Sequence, residues 1–149
     1  MTIKHLVISG GGPAGFLTYG AARHLAKENL WKLEEIESMY CCSIGAFMGV
    51  IISLGYEWEW IDDYFIKRPW EKTLGITAVS FLEAYSEKGI VGDELIHKSL
   101  EPLLTAKDLS LETTMAEFYE FNGIDIHVYA TNLNTQLLTK VDISHTSHP

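Results

Sequence analysis

The chain has 149 residues, 47% of them hydrophobic, and a formal net charge of −9. That length predicts one domain with a sizeable core, and the apolar content excludes a disordered chain. The acidic balance argues against nucleic acid as a partner and offers no general attraction to anionic membranes.

Cys41 and Cys42 are adjacent and unsuited to a structural disulfide, so buried free thiols in a reducing compartment are expected. Met1-Thr2-Ile3-Lys4 leads straight into a strand without a signal-peptide layout. The longest apolar run, around residues 46–54, has the length of a core helix and not of a membrane span. A cytoplasmic protein is expected, peripheral to membranes at most.

In chain order, Leu6-Val7-Ile8 is a continuous apolar run, as in a strand buried on both faces of a parallel sheet. It feeds Ser9-Gly10-Gly11-Gly12-Pro13-Ala14-Gly15, where Pro13 suits the first turn of a following helix. On that helix Leu17, Ala21 and Leu25 share one face, while Arg23, Lys27 and Glu28 point elsewhere. A charged connection over residues 30–35 precedes a second strand over residues 36–42. An apolar helix follows and stops near Gly55.

Residues 56–70 are aromatic and acidic. Trp58, Ile61 and Phe65 have the spacing of a core stripe, and Trp60, Tyr64 and Trp70 fall on the other side as a candidate lipid-contact face. Residues 73–89 show no clear pattern. Asp93 reads as the N-cap of a helix with Leu95, Ile96, Leu100, Leu103 and Leu104 on its apolar face, and Pro102 predicts a kink or an early end. Another helix over residues 111–121, capped by Thr113 or Thr114, turns Met115, Phe118 and Tyr119 inward and stops at Gly123. A strand over residues 124–130, a turn over 131–135, a returning strand over 136–143 and a polar loop complete the chain.

Two strand-to-helix junctions carry the chemistry. Tyr40-Cys41-Cys42-Ser43-Ile44-Gly45 has the form of a nucleophile elbow, which lifts a serine Oγ out of a sheet and aims a helix N-terminus at any anion forming there. Cys41 stands where the elbow usually has its first glycine, and would meet a steric penalty if φ were positive there. The loop containing Gly10, Gly11, Gly12 and Gly15 has two readings. As Gly10-x-Gly12-x-x-Gly15 it satisfies a dinucleotide fingerprint, close in wording to flavin-binding proteins, with Glu34, Glu35 and Glu37 at about the distance of a ribose acceptor. Yet the second strand runs past these glutamates and ends in a serine. As an oxyanion hole, the loop would converge backbone N–H groups on a developing negative charge beside Ser43. The two junctions in this order favour acyl transfer.

These motifs resemble the patatin-like phospholipases: Gly10-Gly11-Gly12-Pro13-Ala14-Gly15, then Cys42-Ser43-Ile44-Gly45. Ile90-Val91-Gly92-Asp93-Glu94-Leu95 and Ala130-Thr131-Asn132-Leu133-Asn134-Thr135 are similar to later segments of that family. The resemblance implies a three-layer α/β sandwich with a mainly parallel central sheet. It also implies a serine–aspartate dyad that hydrolyses phospholipids or other acyl-ester lipids, without cofactor or calcium. Ser43 takes the place of the nucleophile, the loop that of the oxyanion hole, and Cys41 and Gly45 those of the elbow's flanking positions. Ala14 stands where many members have Arg or Lys. The family's Asp-Gly-Gly or Asp-Gly-Ala motif is missing, so the resemblance places the catalytic aspartate beyond Pro149 and makes these residues the N-terminal portion of the domain, inactive alone.

The six histidines include no pair at metal-ligand spacing, and no metal site is expected. His145 is the one contender for a Ser-His-Asp triad. Asp93, Asp125 and Asp142 are possible bases in principle: Asp93 reads as a cap, Asp125 lies at a strand start, and Asp142 lacks supporting glycines. The alternatives to the hydrolase are a flavin- or nucleotide-binding module and a catalytically dead lipid-binding fragment.

Overall fold

The structure is a computed structural model that describes residues 2–69, 93–134 and 137–149. It has the expected α/β architecture with a mainly parallel sheet. The chain divides into two compact units, Met1–Gly55 with Glu112–Pro149, and Tyr56–Leu111. The Trp70 position, the 73–89 segment, Ile90-Val91-Gly92 and Thr135 lie outside the described residues.

The first unit is built on a four-stranded sheet in the order β1-β2-β3-β4. Strand β1 (His5–Ile8) pairs in parallel with β2 (Ser38–Cys42), and β2 pairs in parallel with β3 (Asp125–Asn132). Strand β4 (Thr139–Ile143) returns antiparallel to β3. Register places Ile8, Cys41 and Val128 side by side, and Val7, Tyr40 and His127 beside one another on the alternate face. The first of these faces is the core: Ile8, Met39, Cys41 and Ile126 are buried with Met48, Ile51 and Ile52 of helix α2 (Ile44–Ser53).

The expectation of a strand buried on both faces fails for β1. Val7 is 80% exposed, because β1 is an edge strand whose helix-covered side is the one bearing Ile8. Helix α1 (Gly15–Lys27) also turns a different side inward from the one expected. Its buried residues are Gly15 and Tyr19, with Ala22 and Ala26 partly covered at helical spacing, while Leu17 and Leu25 face out. Gly15 sits directly against the Ile44 side chain, where a β-carbon would not fit.

Helix α3 (Trp58–Lys67) and helix α4 (Asp93–Thr105) belong to the second unit. Ile61 is buried, in keeping with the core stripe. Tyr56, Trp60 and Tyr64 stack with ring centroids 4.3 and 5.8 Å apart. The Tyr56 and Tyr64 hydroxyls donate to the carbonyls of Leu103 and Ser99, each at 2.6 Å. Pro102 does not end α4, which runs on to Thr105. Proline removes the N–H that would reach the Lys98 carbonyl, and the Arg68 guanidinium donates to that oxygen instead at 2.6 Å.

Helix α5 (Met115–Asn122) of the first unit starts at Thr114. Its hydroxyl accepts from the Glu117 N–H at 3.2 Å while the Glu117 carboxylate accepts from the Thr114 N–H at 2.8 Å, a reciprocal capping box. Gly123 ends it, as expected. Among the described residues no helix is long and apolar enough to cross a membrane.

Candidate active site

Strand β2 ends at Cys42 and α2 begins at Ile44, so the reversal falls on one residue. Ser43 holds it at φ 54° and ψ −129°. A non-glycine residue in this region carries roughly 1–3 kcal/mol of strain, which the surrounding packing must offset. The conformation lifts the side chain clear of the sheet: Ser43 is exposed, and its hydroxyl does not cap α2. Its carbonyl accepts from the Ala46 N–H at 2.8 Å, closing the first turn. The first-turn N–H of Ile44 has no partner inside the helix by geometry and lies next to the serine.

The penalty anticipated at Cys41 does not arise. Cys41 is a regular strand residue paired with Ile8 and Val128, and positive φ falls on Ser43 instead. The Cys41 thiol points into the core, where burial pushes its pKa up to about 11. It is accommodated by Gly49, one turn into α2: a β-carbon there would lie 2.7 Å from the Cys41 sulfur. The small residue of the usual elbow has in effect been moved from strand to helix. Cys42, expected to be a buried thiol, is exposed because alternation puts it on the opposite face from Cys41.

Three glycines lock the two junctions together. A β-carbon on Gly10 would sit 3.1 Å from the Ser43 Cβ and 3.8 Å from its Oγ. One on Gly15 would fall 2.5 Å from the Ile44 side chain, and one on Gly45 only 2.2 Å from the Ile8 carbonyl oxygen. Gly11 and Gly12 are not pressed in this way: a β-carbon on Gly12 would meet nothing within 4 Å, but its φ of 53° is the left-handed turn that starts the short 3-10 segment Gly12–Ala14. The structure therefore brings Gly10, Gly15, Gly45 and Ser43 together at the carboxyl edge of β1 and β2.

Of the candidate bases on the sheet, Asp142 pairs with Tyr129, level with Cys42, and Asp125 lies at the start of β3. His127 lies between two carboxylates, its Nδ1 2.9 Å from Asp142 and its Nε2 3.1 Å from Asp125. His145 Nδ1 approaches the other oxygen of Asp125 at 2.9 Å, and the Tyr119 ring stacks on His145 with centroids 3.9 Å apart. Burial disfavours charge on His127, but the hydrogen bonds to Asp142 and Asp125 and their negative charge outweigh it, so its pKa is raised. Asp125 and Asp142, two of the three carboxylates considered as bases, are thus engaged with histidines. Asp125 and its partner His145 lie at the amino end of β3, the opposite edge from Ser43. Sequence spacing missed this cluster, since it depends on the β3–β4 register.

The dinucleotide reading loses its ribose acceptor. Glu34 and Glu35 lie in the 3-10 turn Leu33–Glu35, and Glu37 precedes β2 and accepts from Lys4 at 2.5 Å. All three are at the amino edge of the sheet, where a concavity of about 610 Å³ is lined by Lys4, Glu34, Glu37 and Tyr119. The glycine loop is at the other edge. Among the described residues no group of three His, Cys, Asp or Glu side chains could hold a metal ion.

The chain is 28% identical over 130 residues to a protein of Invertebrate iridescent virus 6 described as a probable lipid hydrolase. The match covers 87% of this chain and 43% of that protein, so the chain spans less than half of its relative's length. No family model matches the chain, and no solved structure does.

Proposed function

We propose that this chain carries the nucleophile half of a serine acyl hydrolase acting on lipid esters, of patatin-like type. The observation that carries the reading is the strained, exposed Ser43 with Gly10 packed on its β-carbon. In this reading Ser43 Oγ attacks the ester carbonyl, and the tetrahedral oxyanion is met by N–H groups of the loop at Gly10, Gly11 and Gly12 and by that of Ile44. Gly15 and Gly45 keep loop and elbow in contact. The N-terminus of α2 adds its positive end to the same field.

The dyad's general base is proposed to be an aspartate outside the described residues, since Asp125 and Asp142 are held by His127 and His145. The similarity to a probable lipid hydrolase supports a lipid as the acyl donor. The test is turnover of a short-chain aryl ester by the whole protein that contains this chain. Ser43→Ala should lower kcat by roughly a thousandfold or more, as for other nucleophile removals. Turnover unchanged by that substitution would overturn the assignment.

A further inference from the structure

The cluster at the β3–β4 pair links two carboxylates and two imidazoles by hydrogen-bonding distances. His127 Nδ1 is 2.9 Å from Asp142 on β4, and its Nε2 is 3.1 Å from Asp125 on its own strand. An ionised carboxylate accepts and cannot donate, so each contact needs an N–H from the ring. The imidazolium has two such groups and the neutral imidazole has one. Both contacts are therefore made only by the charged ring, and loss of a proton turns a lone pair towards a negative oxygen. His145 differs: its contact with Asp125, from Nδ1 at 2.9 Å, is served by a single N–H in either charge state.

Which contact fails on deprotonation follows from how each carboxylate is held. Asp125 is two residues from His127 on the same face of one strand, and its other oxygen is taken by His145. His145 is itself stacked on the Tyr119 ring of α5. Asp142 belongs to β4, the last strand in the sheet order, and its side chain is 38% exposed against 18% for His127. Its carboxylate can exchange the imidazole for water, while the Ser147 hydroxyl, donating to the Asp142 carbonyl at 2.8 Å, keeps its backbone in place. A neutral His127 therefore does best with its proton on Nε2, towards the pinned Asp125. The other described groups around the ring are few. Tyr40 of β2 stacks on it at 4.8 Å between centroids and favours the cation, and Tyr129 lies at 6.4 Å. Lys140 of β4 sits over the Tyr129 ring, opposes a second positive charge, and is two residues from Asp142 on the same face, where it offers a released carboxylate a partner. His5 of β1 is bonded to Ser38, His148 to Ser147, and Lys4 to Glu37.

We propose that His127 is a proton-operated clasp between β3 and β4: charged, it holds Asp125 and Asp142 at once, and neutral, it keeps Asp125 and releases Asp142. Acid tightens the strand pair. Alkali leaves β4 with its backbone ladder, the Lys140 contact with Tyr129 and the bond from His145 to Asp125, without the charge-assisted bond to His127. Burial lowers the ring's pKa, but its bonds to Asp142 and Asp125 and their charges raise it by more, to a value above 6.5. The clasp is therefore closed below that ordinary value and opens as pH rises through the folded one. The inference does not draw on the reading of Ser43.

The first test is nuclear magnetic resonance of the wild-type whole protein with nitrogen-15-labelled histidine, whose ring shifts report charge and tautomer. His127 should titrate above 6.5 and, at about pH 9, carry its remaining proton on Nε2. A neutral ring protonated on Nδ1, or titration at or below 6.5, would overturn the clasp without any variant having to fold. The second test is denaturant unfolding of variants at two pH values. Asp142→Asn should raise the unfolding equilibrium constant roughly tenfold at about pH 6, the weight of one charge-assisted hydrogen bond, and less than about twofold at about pH 9. Asp125→Asn should raise it at both. In a His127→Gln background the effect of Asp142→Asn should no longer depend on pH. An equal effect of Asp142→Asn at the two pH values, an Asp125→Asn effect confined to the lower one, or a pH dependence that survives His127→Gln would each refute the proposal.

Discussion

The elbow at Ser43 and the cluster around His127 rise from neighbouring strands of one sheet and treat their polar atoms in opposite ways. At the elbow the backbone is held at φ 54° and the hydroxyl stays exposed without capping its helix. In the cluster both nitrogens of His127 face carboxylate oxygens, and Asp125 is shared with His145. Strain supported by packing, with an exposed polar atom, is the condition for reactivity. Satisfied charge within a strand pair is the condition for holding β3 and β4 in register. Proximity on a sheet does not make two such groups one site.

The comparison is tested most severely at Ser43, the proposed nucleophile, where Ser43→Ala should cost roughly a thousandfold or more in turnover while leaving the thermal midpoint little changed. Gly45→Ala should do the reverse first and then both. Its β-carbon would fall 2.2 Å from a backbone oxygen that cannot swing away, so unfolding free energy should drop by about 3 kcal/mol in a denaturant titration, and turnover with it. A stable, active Gly45→Ala protein would show that the loop and elbow are not interlocked.

Gly49→Ala is the gentler probe of the same packing. It should destabilise by about 1–2 kcal/mol by pressing on the Cys41 sulfur. Cys41→Gly should relieve much of that loss in a double-mutant cycle, giving a coupling above about 0.5 kcal/mol. Additive effects would refute the idea that Gly49 replaces the missing elbow glycine.

The His127 cluster predicts a smaller effect with a definite sign. Its folded pKa is raised above the ordinary 6.5, so its contribution to stability is complete below that value and is lost as pH rises through the folded pKa. The melting temperature of wild type should therefore fall between about pH 6 and about pH 9 by more than that of His127→Gln. Parallel profiles would mean that the histidine is not charged between its two aspartates. Ester turnover per folded molecule should be the same in both proteins if, as proposed, the base for Ser43 is an aspartate outside the described residues.

Much of the fold was legible because local signals there are short-range and strong. The alternation from apolar strand to glycine loop to helix, the helix stops at Gly55 and Gly123, and the Thr114 cap all act within a few residues. The two junctions of the candidate site were legible for the same reason: a serine at a strand-to-helix reversal and a run of glycines before a helix are local constraints on the backbone. Asp142 and His145 drew attention as residue types, but spacing along the chain could not show that they pair with His127 and Asp125.

What the amino-acid sequence determined by itself, then, is where the backbone turns; that positive φ falls on Ser43 and not on Cys41 was seen only in the structure. Tertiary packing decided everything that depends on contact between distant segments. α1 turns Gly15 and Tyr19 to the core, against the leucine pattern of that helix, and Gly15 is what lets it lie on Ile44, since a β-carbon there would fall 2.5 Å from the Ile44 side chain. Gly49 made room for Cys41, and Arg68 took the carbonyl that Pro102 had left unpaired.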